Sequence, residues 1–284
     1  MKYTLALYVL RLIGRLPLRG ARALGAMVGL LAWASRGRSY KITAANLARC
    51  FPDWSPGRRQ RLVRRSLVET GKTTAEVPVI WHQSTQALTQ KVVSSEGGEA
   101  IGQALAAGRG LIMLAPHLGN WEVTGPFVAR YGPLTVLYQP PRHKRLHEFM
   151  LQGRTRTGMR IVPTSRRGVG QLLACLKRGE TVGILPDQVP EAGSGARVVP
   201  FFGQPALTMT LVHSLIERTG CVVLLVMAER VPRGFNVRVM EPDPGIYLEA
   251  ESGSVEALNR SIEAAVRLAP AQYQWEYKRF RGLE

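Results

Sequence analysis

"LIMLAPHLGNWE", residues 111–122, holds the elements of a strand, a turn and a helix start in one short stretch. Its first five residues have the composition of a buried strand. Pro116 ends that run, Gly119 permits a tight turn, and Asn120 is a residue type favoured at a helix N-cap. A buried strand that leads through a turn into a helix is the repeating unit of α/β folds.

Further apolar segments alternate with helical patterns along the chain. The predicted strands are residues 110–115, 134–139, 159–163, 181–186, 221–229 and 235–241, and the predicted closing helices are residues 251–268 and 271–280. This alternation predicts an α/β fold with a mostly parallel central sheet flanked by helices. Ligands of such sheets bind at the carboxyl ends of the strands. Just after predicted strands lie His117, Gln139, Pro163 and Asp187.

The amino-terminal quarter differs in charge from the rest of the chain. The net charge is +18, and residues 1–65 carry 14 Lys and Arg but a single acid, Asp53. Two uncharged apolar runs, residues 3–10 and 23–35, lie among these cations. Each is shorter than the roughly 18–20 apolar residues that cross a bilayer as a helix. We therefore expect residues 1–45 to be a membrane-associating helical segment on an anionic lipid surface, followed by one domain over residues 46–284.

One other function fits the composition less well. A basic nucleic-acid-binding protein remains an alternative, but the aromatic residues show no spacing typical of base stacking. Three well-separated cysteines, Cys50, Cys175 and Cys221, predict reduced thiols in a cytosolic setting.

His117 and Glu122 have the spacing of an acid–base pair, but spacing alone does not decide their role. The same His-x4-Glu spacing recurs at His143 and Glu148, where a predicted continuous helix would point the two side chains apart. His117 instead leaves a strand, so a strand–turn–helix corner can bring its imidazole to the Glu122 carboxylate. The alternative is a buried histidine satisfied by a nearby acid.

Other chemistries lack their motifs. HExxH is absent, so we expect no metal, and without GxSxG we expect no serine nucleophile. The arginines at Arg154, Arg156 and Arg160 suit an acyl carbonyl, a phosphate or a solvated surface. The stretch "VPFFGQPALT", residues 199–208, predicts either a loop that lines an apolar groove or core packing at a turn.

Taken in order, these motifs resemble the lipid A biosynthesis acyltransferases of the lysophospholipid acyltransferase superfamily. The resemblance covers nearly the whole chain and is carried by "NLARCFPDWS", "HLGNWE", "RTRTGMRIVP", "LPDQ", "VPFFGQPALT" and "PAQYQWEYKRF". It implies that residues 46–284 are an acyltransferase domain. It further implies transfer of a fatty acyl chain from acyl carrier protein, or from acyl-CoA, to a hydroxyl of a lipid A precursor, in a late secondary acylation.

The resemblance also implies roles for single residues. His117 would deprotonate the acceptor hydroxyl, Glu122 would orient His117, and Arg154 would hold a lipid phosphate or the developing oxyanion. Asp187 would have a polar or structural role. Within the same motifs we expect substrate contacts from Asn120, Arg154, Asp187 and Gln188. No cofactor, metal or nucleic acid is expected; the expected partners are acyl carrier protein, anionic membrane lipid and the lipid A precursor. The implied location is the cytoplasmic face of a bacterial inner membrane.

Two positions depart from the family pattern. Gln139 stands where an arginine is usual, and Glu276 stands where a small or basic residue is commoner. Phosphatidylinositol mannoside acyltransferases share the His-x4-Glu motif, so another glycolipid acceptor is an alternative. A membrane-bound esterase that uses the same pair on water is a further one.

Overall fold

In the computed structural model, which describes residues 2–141, 143–190 and 195–281, seven strands form a central sheet. The strands of the chain are β1 (Val92–Glu96), β2 (Leu111–Leu114), β3 (Leu134–Tyr138), β4 (Met159–Pro163), β5 (Thr181–Ile184), β6 (Ala196–Phe201), β7 (Gln204–Met209), β8 (Val222–Val231) and β9 (Gly234–Met240). The central sheet has the order β1-β9-β8-β2-β5-β3-β4, and β6 and β7 form a separate antiparallel hairpin. Within the sheet only β8 and β9 pair antiparallel. The predicted α/β fold with a mostly parallel sheet is confirmed.

Helices cover both faces of this sheet. They are α1 (Lys2–Gly14), α2 (Leu18–Ala34), α3 (Arg38–Cys50), α4 (Pro56–His82), α5 (Thr85–Thr89), α6 (Glu99–Ala106), α7 (Trp121–Val128), α8 (Lys144–Arg156), α9 (Arg166–Lys177), α10 (Leu211–Thr219) and α11 (Glu251–Leu268). Successive side chains of a strand point to opposite faces. Accordingly, Ile112 and Leu114 belong to one buried cluster while Leu111 and Met113 belong to another. A strand buried on both faces explains the unbroken apolar run of β2.

The amino-terminal helices pack onto α4 through glycines. A Cβ added at Gly25 would lie 2.3 Å from the carbonyl oxygen of Gly71, and one at Gly29 would lie 2.3 Å from that of Leu67. Only hydrogen at these positions lets the backbones of α2 and α4 approach so closely. None of the helices in the described chain combines the length and apolar character needed to cross a bilayer. The boundary predicted after residue 45 falls inside α3, and the division into two domains stays a prediction.

The structure decides two local expectations and adds one strand. Residues 199–208 form most of the β6–β7 hairpin, with Phe201 and Phe202 packed in the core, so the core-packing alternative is the correct one. The helix predicted over residues 271–280 is wrong, because the backbone of residues 272–275 pairs with other segments of the protein instead. Strand β1 was not predicted, since its sequence VVSSE is mostly polar and exposed.

Candidate active site

The carboxyl ends of two neighbouring strands bring His117 and Asp187 together. Strands β2 and β5 pair in parallel, from Leu111 opposite Thr181 to Leu114 opposite Ile184, so the loops that follow them leave the sheet side by side. The Nδ1–H of His117 donates to Asp187 Oδ1 at 2.8 Å, and the backbone N–H of His117 donates to Asp187 Oδ2 at 2.8 Å. A carboxylate only accepts hydrogen bonds, so the proton of the neutral imidazole lies on Nδ1 and the lone pair on Nε2.

Asp187 is buried and held as an anion. Burial alone would raise the pKa of its carboxyl, but the charge that His117 carries when protonated, together with the two hydrogen bonds from His117, holds that pKa below the usual range. The buried hydroxyl of Tyr273 faces the same carboxylate; burial and then the Asp187 charge raise the pKa of Tyr273 well above its ordinary value. An ionised partner on Nδ1 stabilises the imidazolium that forms when Nε2 takes a proton.

The hydrogen bond expected between His117 and Glu122 is not what the structure shows. Glu122 lies in the first turn of α7, where its carboxylate accepts from Arg154 Nε at 3.1 Å, from Arg154 Nη2, and from Trp81 Nε1 at 2.8 Å. Burial would raise the pKa of Glu122, but the Arg154 guanidinium holds it below the usual range. The carboxylate that contacts the His117 ring is therefore that of Asp187, 70 residues further along the chain, and not that of Glu122. The order of strands in the sheet brings Asp187 to this place.

The turn between β2 and α7 depends on Gly119. Its φ is +65°, and a Cβ there would lie 2.0 Å from the carbonyl oxygen of Ala228 in β8. Next to it, Asn120 is the predicted N-cap, confirmed by its Oδ1, which accepts from the Glu122 N–H at 3.2 Å. Its Nδ2 donates to Glu76 at 2.8 Å, and the residue is fully buried. Asn120 thus positions the turn and is not among the residues that line the cavity described below, and the expected contact of its side chain with substrate stays a prediction.

Glu76 on α4 joins this turn to two buried arginines. Arg230 of β8 donates to both carboxylate oxygens, at 2.8 and 2.7 Å, and Arg22 of α2 donates to Oε1. Burial raises the pKa of Glu76, but Arg230 and then Arg22 bring it below the usual range. The sequence carried no spacing signal for this cluster, because its members lie on three elements that meet only in the fold.

The carboxyl-terminal segment forms hydrogen bonds with the turn between β2 and α7. The Gly119 N–H donates to the Gln272 carbonyl at 3.0 Å, and the Gln274 N–H donates to the His117 carbonyl at 3.0 Å. The Gln188 side-chain amide lies 3.2 Å from His117 Nε2 and donates to Gln274 Oε1 at 3.4 Å. The motif "AQYQWEYKRF" therefore forms one wall of the site.

A cavity of about 710 Å³ opens beside Nε2. Four of the predicted site residues line it: His117, Glu122, Arg154 and Gln188, whereas Asp187 and Asn120 lie behind its wall. The rest of the lining is largely apolar and includes Met113, Val136, Met150, Met159 and Ile184. Within the part of the chain that the structure describes, no cluster of three or more His, Cys, Asp and Glu side chains could hold a metal ion. The arrangement is an imidazole with an ionised carboxylate partner in the wall of a largely apolar cavity.

The sequence profile of bacterial lipid A biosynthesis acyltransferases matches residues 1–282. The chain belongs to this family. It is therefore an acyltransferase of lipid A biosynthesis, which confirms the resemblance found in the motifs.

Individual relatives show the same relationship. The lipid A biosynthesis palmitoleoyltransferase of Escherichia coli (strain K12) is 25% identical over 260 residues, which cover 91% of this chain and 84% of that protein. The lauroyltransferase of the same organism is 25% identical over 281 residues, 98% of this chain and 90% of that protein. A phosphatidylinositol mannoside acyltransferase of Mycobacterium tuberculosis is 27% identical over 207 residues, 71% of this chain and 63% of that protein.

Proposed function

We propose that this lipid A acyltransferase moves a fatty acyl chain from acyl carrier protein to a hydroxyl of a lipid A precursor, as a late secondary acylation. One observation carries the proposal: His117 has its proton fixed on Nδ1 by Asp187 and its lone pair on Nε2, beside an apolar cavity of about 710 Å³. A cavity of this character accepts a fatty chain, and the placed lone pair accepts the proton of an attacking hydroxyl.

In the proposed reaction, His117 Nε2 takes the proton of the acceptor hydroxyl while the oxygen attacks the thioester carbonyl. The carbon–sulfur bond then breaks, and the imidazolium returns the proton to the leaving thiolate. Asp187 stabilises the imidazolium between these steps. Glu122 holds Arg154 in the cavity wall, from which the guanidinium reaches a lipid phosphate or the developing oxyanion.

The amino-terminal helices supply a surface suited to the membrane. Large apolar side chains are exposed along α1, the turn after it and α2; they are Tyr8, Val9, Leu12, Leu16, Met27, Val28, Leu30 and Leu31. Exposed arginines at positions 11, 15 and 19 accompany them. Leu7 of α1 packs with Trp81, which lines the cavity, so this surface lies next to the site. We propose that it sits on the cytoplasmic face of the inner membrane, with arginines at lipid phosphates.

The share of each relative's length that this chain spans bears on the acceptor. The chain spans 84% and 90% of the two Escherichia coli lipid A enzymes but 63% of the mycobacterial mannoside enzyme. This favours a lipid A precursor over a mannosylated lipid.

The test is an assay of purified enzyme with a lipid A precursor that lacks secondary chains as the acceptor. The donor is acyl-acyl carrier protein in one reaction and acyl-CoA in another, and mass spectrometry of the lipid detects the added chain. We expect one added chain with wild type and none with His117→Ala. His143→Ala removes the histidine of the second His-x4-Glu pair and should retain nearly full activity. Equal transfer by wild type and His117→Ala would refute the mechanism, and transfer only to a mannosylated lipid would refute the acceptor.

A further inference from the structure

The atom that should take the acceptor proton already has a neighbour. Gln188 places its side-chain nitrogen 3.2 Å from His117 Nε2, and the same nitrogen donates to Gln274 Oε1 at 3.4 Å. Because Asp187 fixes the proton on Nδ1, Nε2 offers a lone pair, which an amide N–H satisfies and an amide oxygen would repel. The amide of Gln188 therefore lies where the acceptor hydroxyl has to donate.

The protein holds Gln188 in this place from both sides. Gln274, its second partner, is anchored by a backbone N–H that donates to the His117 carbonyl at 3.0 Å. On the other side, the Val189 N–H donates to the Tyr277 hydroxyl at 2.9 Å. All four of these residues, Gln188, Val189, Gln274 and Tyr277, line the cavity. The contact with Nε2 is thus built by the loop after β5 together with the carboxyl-terminal segment.

We propose that Gln188 covers the lone pair of His117 until the acceptor hydroxyl displaces it, and thereby keeps water from using the bound acyl donor. The proposal rests on the proposed acyl transfer. Water on an uncovered Nε2 would give up a proton to it and attack the thioester carbonyl. The carbon–sulfur bond would break, the thiolate would take the proton from the imidazolium, and free fatty acid and thiol would result. A hydroxyl held by the rest of a bound lipid displaces the amide more readily than free water does.

The size of the effect follows from a single neutral hydrogen bond, which corresponds to a roughly 2- to 10-fold change in an equilibrium constant. In Gln188→Ala the lone pair is uncovered. We expect hydrolysis of lauroyl-acyl carrier protein without acceptor, followed by thiol release, to rise by about this factor. The ratio of hydrolysis to transfer should rise as well when the lipid A precursor is added.

Three further variants sharpen the test. Gln188→Leu keeps the bulk but not the hydrogen bond, and should hydrolyse the donor less than Gln188→Ala does. Gln103→Ala, an exposed glutamine on α6, should behave as wild type. His117→Ala combined with Gln188→Ala should lose the extra hydrolysis, because the water is activated by His117.

Hydrolysis by Gln188→Ala at or below the wild-type rate overturns the proposal. A parallel loss of hydrolysis and transfer also overturns it, and would make Gln188 a donor to the reacting carbonyl instead. The proposed function fails separately: if wild type transfers nothing to the lipid A precursor while Gln188→Ala still hydrolyses the donor faster, the acceptor is wrong and the role of Gln188 stands.

Discussion

Replacement of Asp187 by asparagine should remove most of the activity while leaving the fold in place. The carboxylate accepts two hydrogen bonds from His117, one from the backbone N–H and one from Nδ1, each 2.8 Å long. Asparagine has one acceptor oxygen. If that oxygen keeps the backbone bond, the amide NH₂ faces Nδ1 and favours the tautomer with its proton on Nε2. The lone pair then no longer faces the cavity, and the imidazolium loses its anionic partner.

The same substitution in a Ser-His-Asp triad lowers kcat about 10⁴-fold while the geometry stays intact. We expect a loss of about 10³- to 10⁴-fold here, which corresponds to about 4–5.5 kcal/mol of transition-state stabilisation. Single-turnover transfer from acyl-acyl carrier protein to a lipid A precursor measures this loss without the contribution of product release. Glu122→Gln is the matched comparison, because its carboxylate contacts Arg154 and Trp81 rather than the imidazole.

A loss of less than tenfold in Asp187→Asn would show that Asp187 does not control the tautomer and charge of His117 in the reaction. So would a larger loss of kcat in Glu122→Gln than in Asp187→Asn, because the local pair would then outweigh the pair formed across the sheet.

Three other predictions concern the turn, the cavity and a partly buried acid. Gly119→Ala should lower the free energy of unfolding, measured in urea, by more than the roughly 1–2 kcal/mol that a left-handed backbone alone costs, because the new Cβ would lie 2.0 Å from the Ala228 carbonyl oxygen. Gly203 has φ +72° and open space around it, so Gly203→Ala should lose only that amount. Equal losses in the two variants would contradict the clash. Met159 lines the cavity, so Met159→Ala should raise kcat/KM for longer acyl donors relative to shorter ones by about tenfold, as expected when apolar groups are removed from a pocket. An unchanged chain-length profile would show that Met159 does not limit the length of the bound acyl chain. Burial raises the pKa of Glu276, so the contribution of this carboxyl to stability is present below its ordinary pKa of 4.5 and is lost as pH rises and the group ionises. Glu276→Gln should therefore raise the Tm at pH 8 and leave it unchanged near pH 4. A lower Tm of the variant at pH 8 would contradict this.

Hydrophobic pattern and turn chemistry predicted the elements that form locally. The β2 strand, the turn at Gly119 and the Asn120 cap follow from the residues themselves, since an apolar run, a positive φ and a capping side chain each have a local cause. The predicted position of Asp187 after a strand is confirmed by β5.

The partners of these residues were not predictable, because they depend on which strands are neighbours. The pairing of β2 with β5 gives His117 its carboxylate, and no spacing in the chain encodes that order. Glu76 likewise meets Arg22 and Arg230 only through tertiary packing. The segment of residues 272–275 lies inside a predicted helix, but its backbone hydrogen-bonds to the turn between β2 and α7 instead.

We expect His117 to drive acylation of a lipid A precursor in the cell. The most direct test is mass spectrometry of lipid A from a host that lacks its own late acyltransferases, with wild type or His117→Ala expressed. We expect a mass gain of one acyl chain with wild type and no gain with His117→Ala. No gain from folded wild-type protein at the membrane, or the same gain from both proteins, would contradict it.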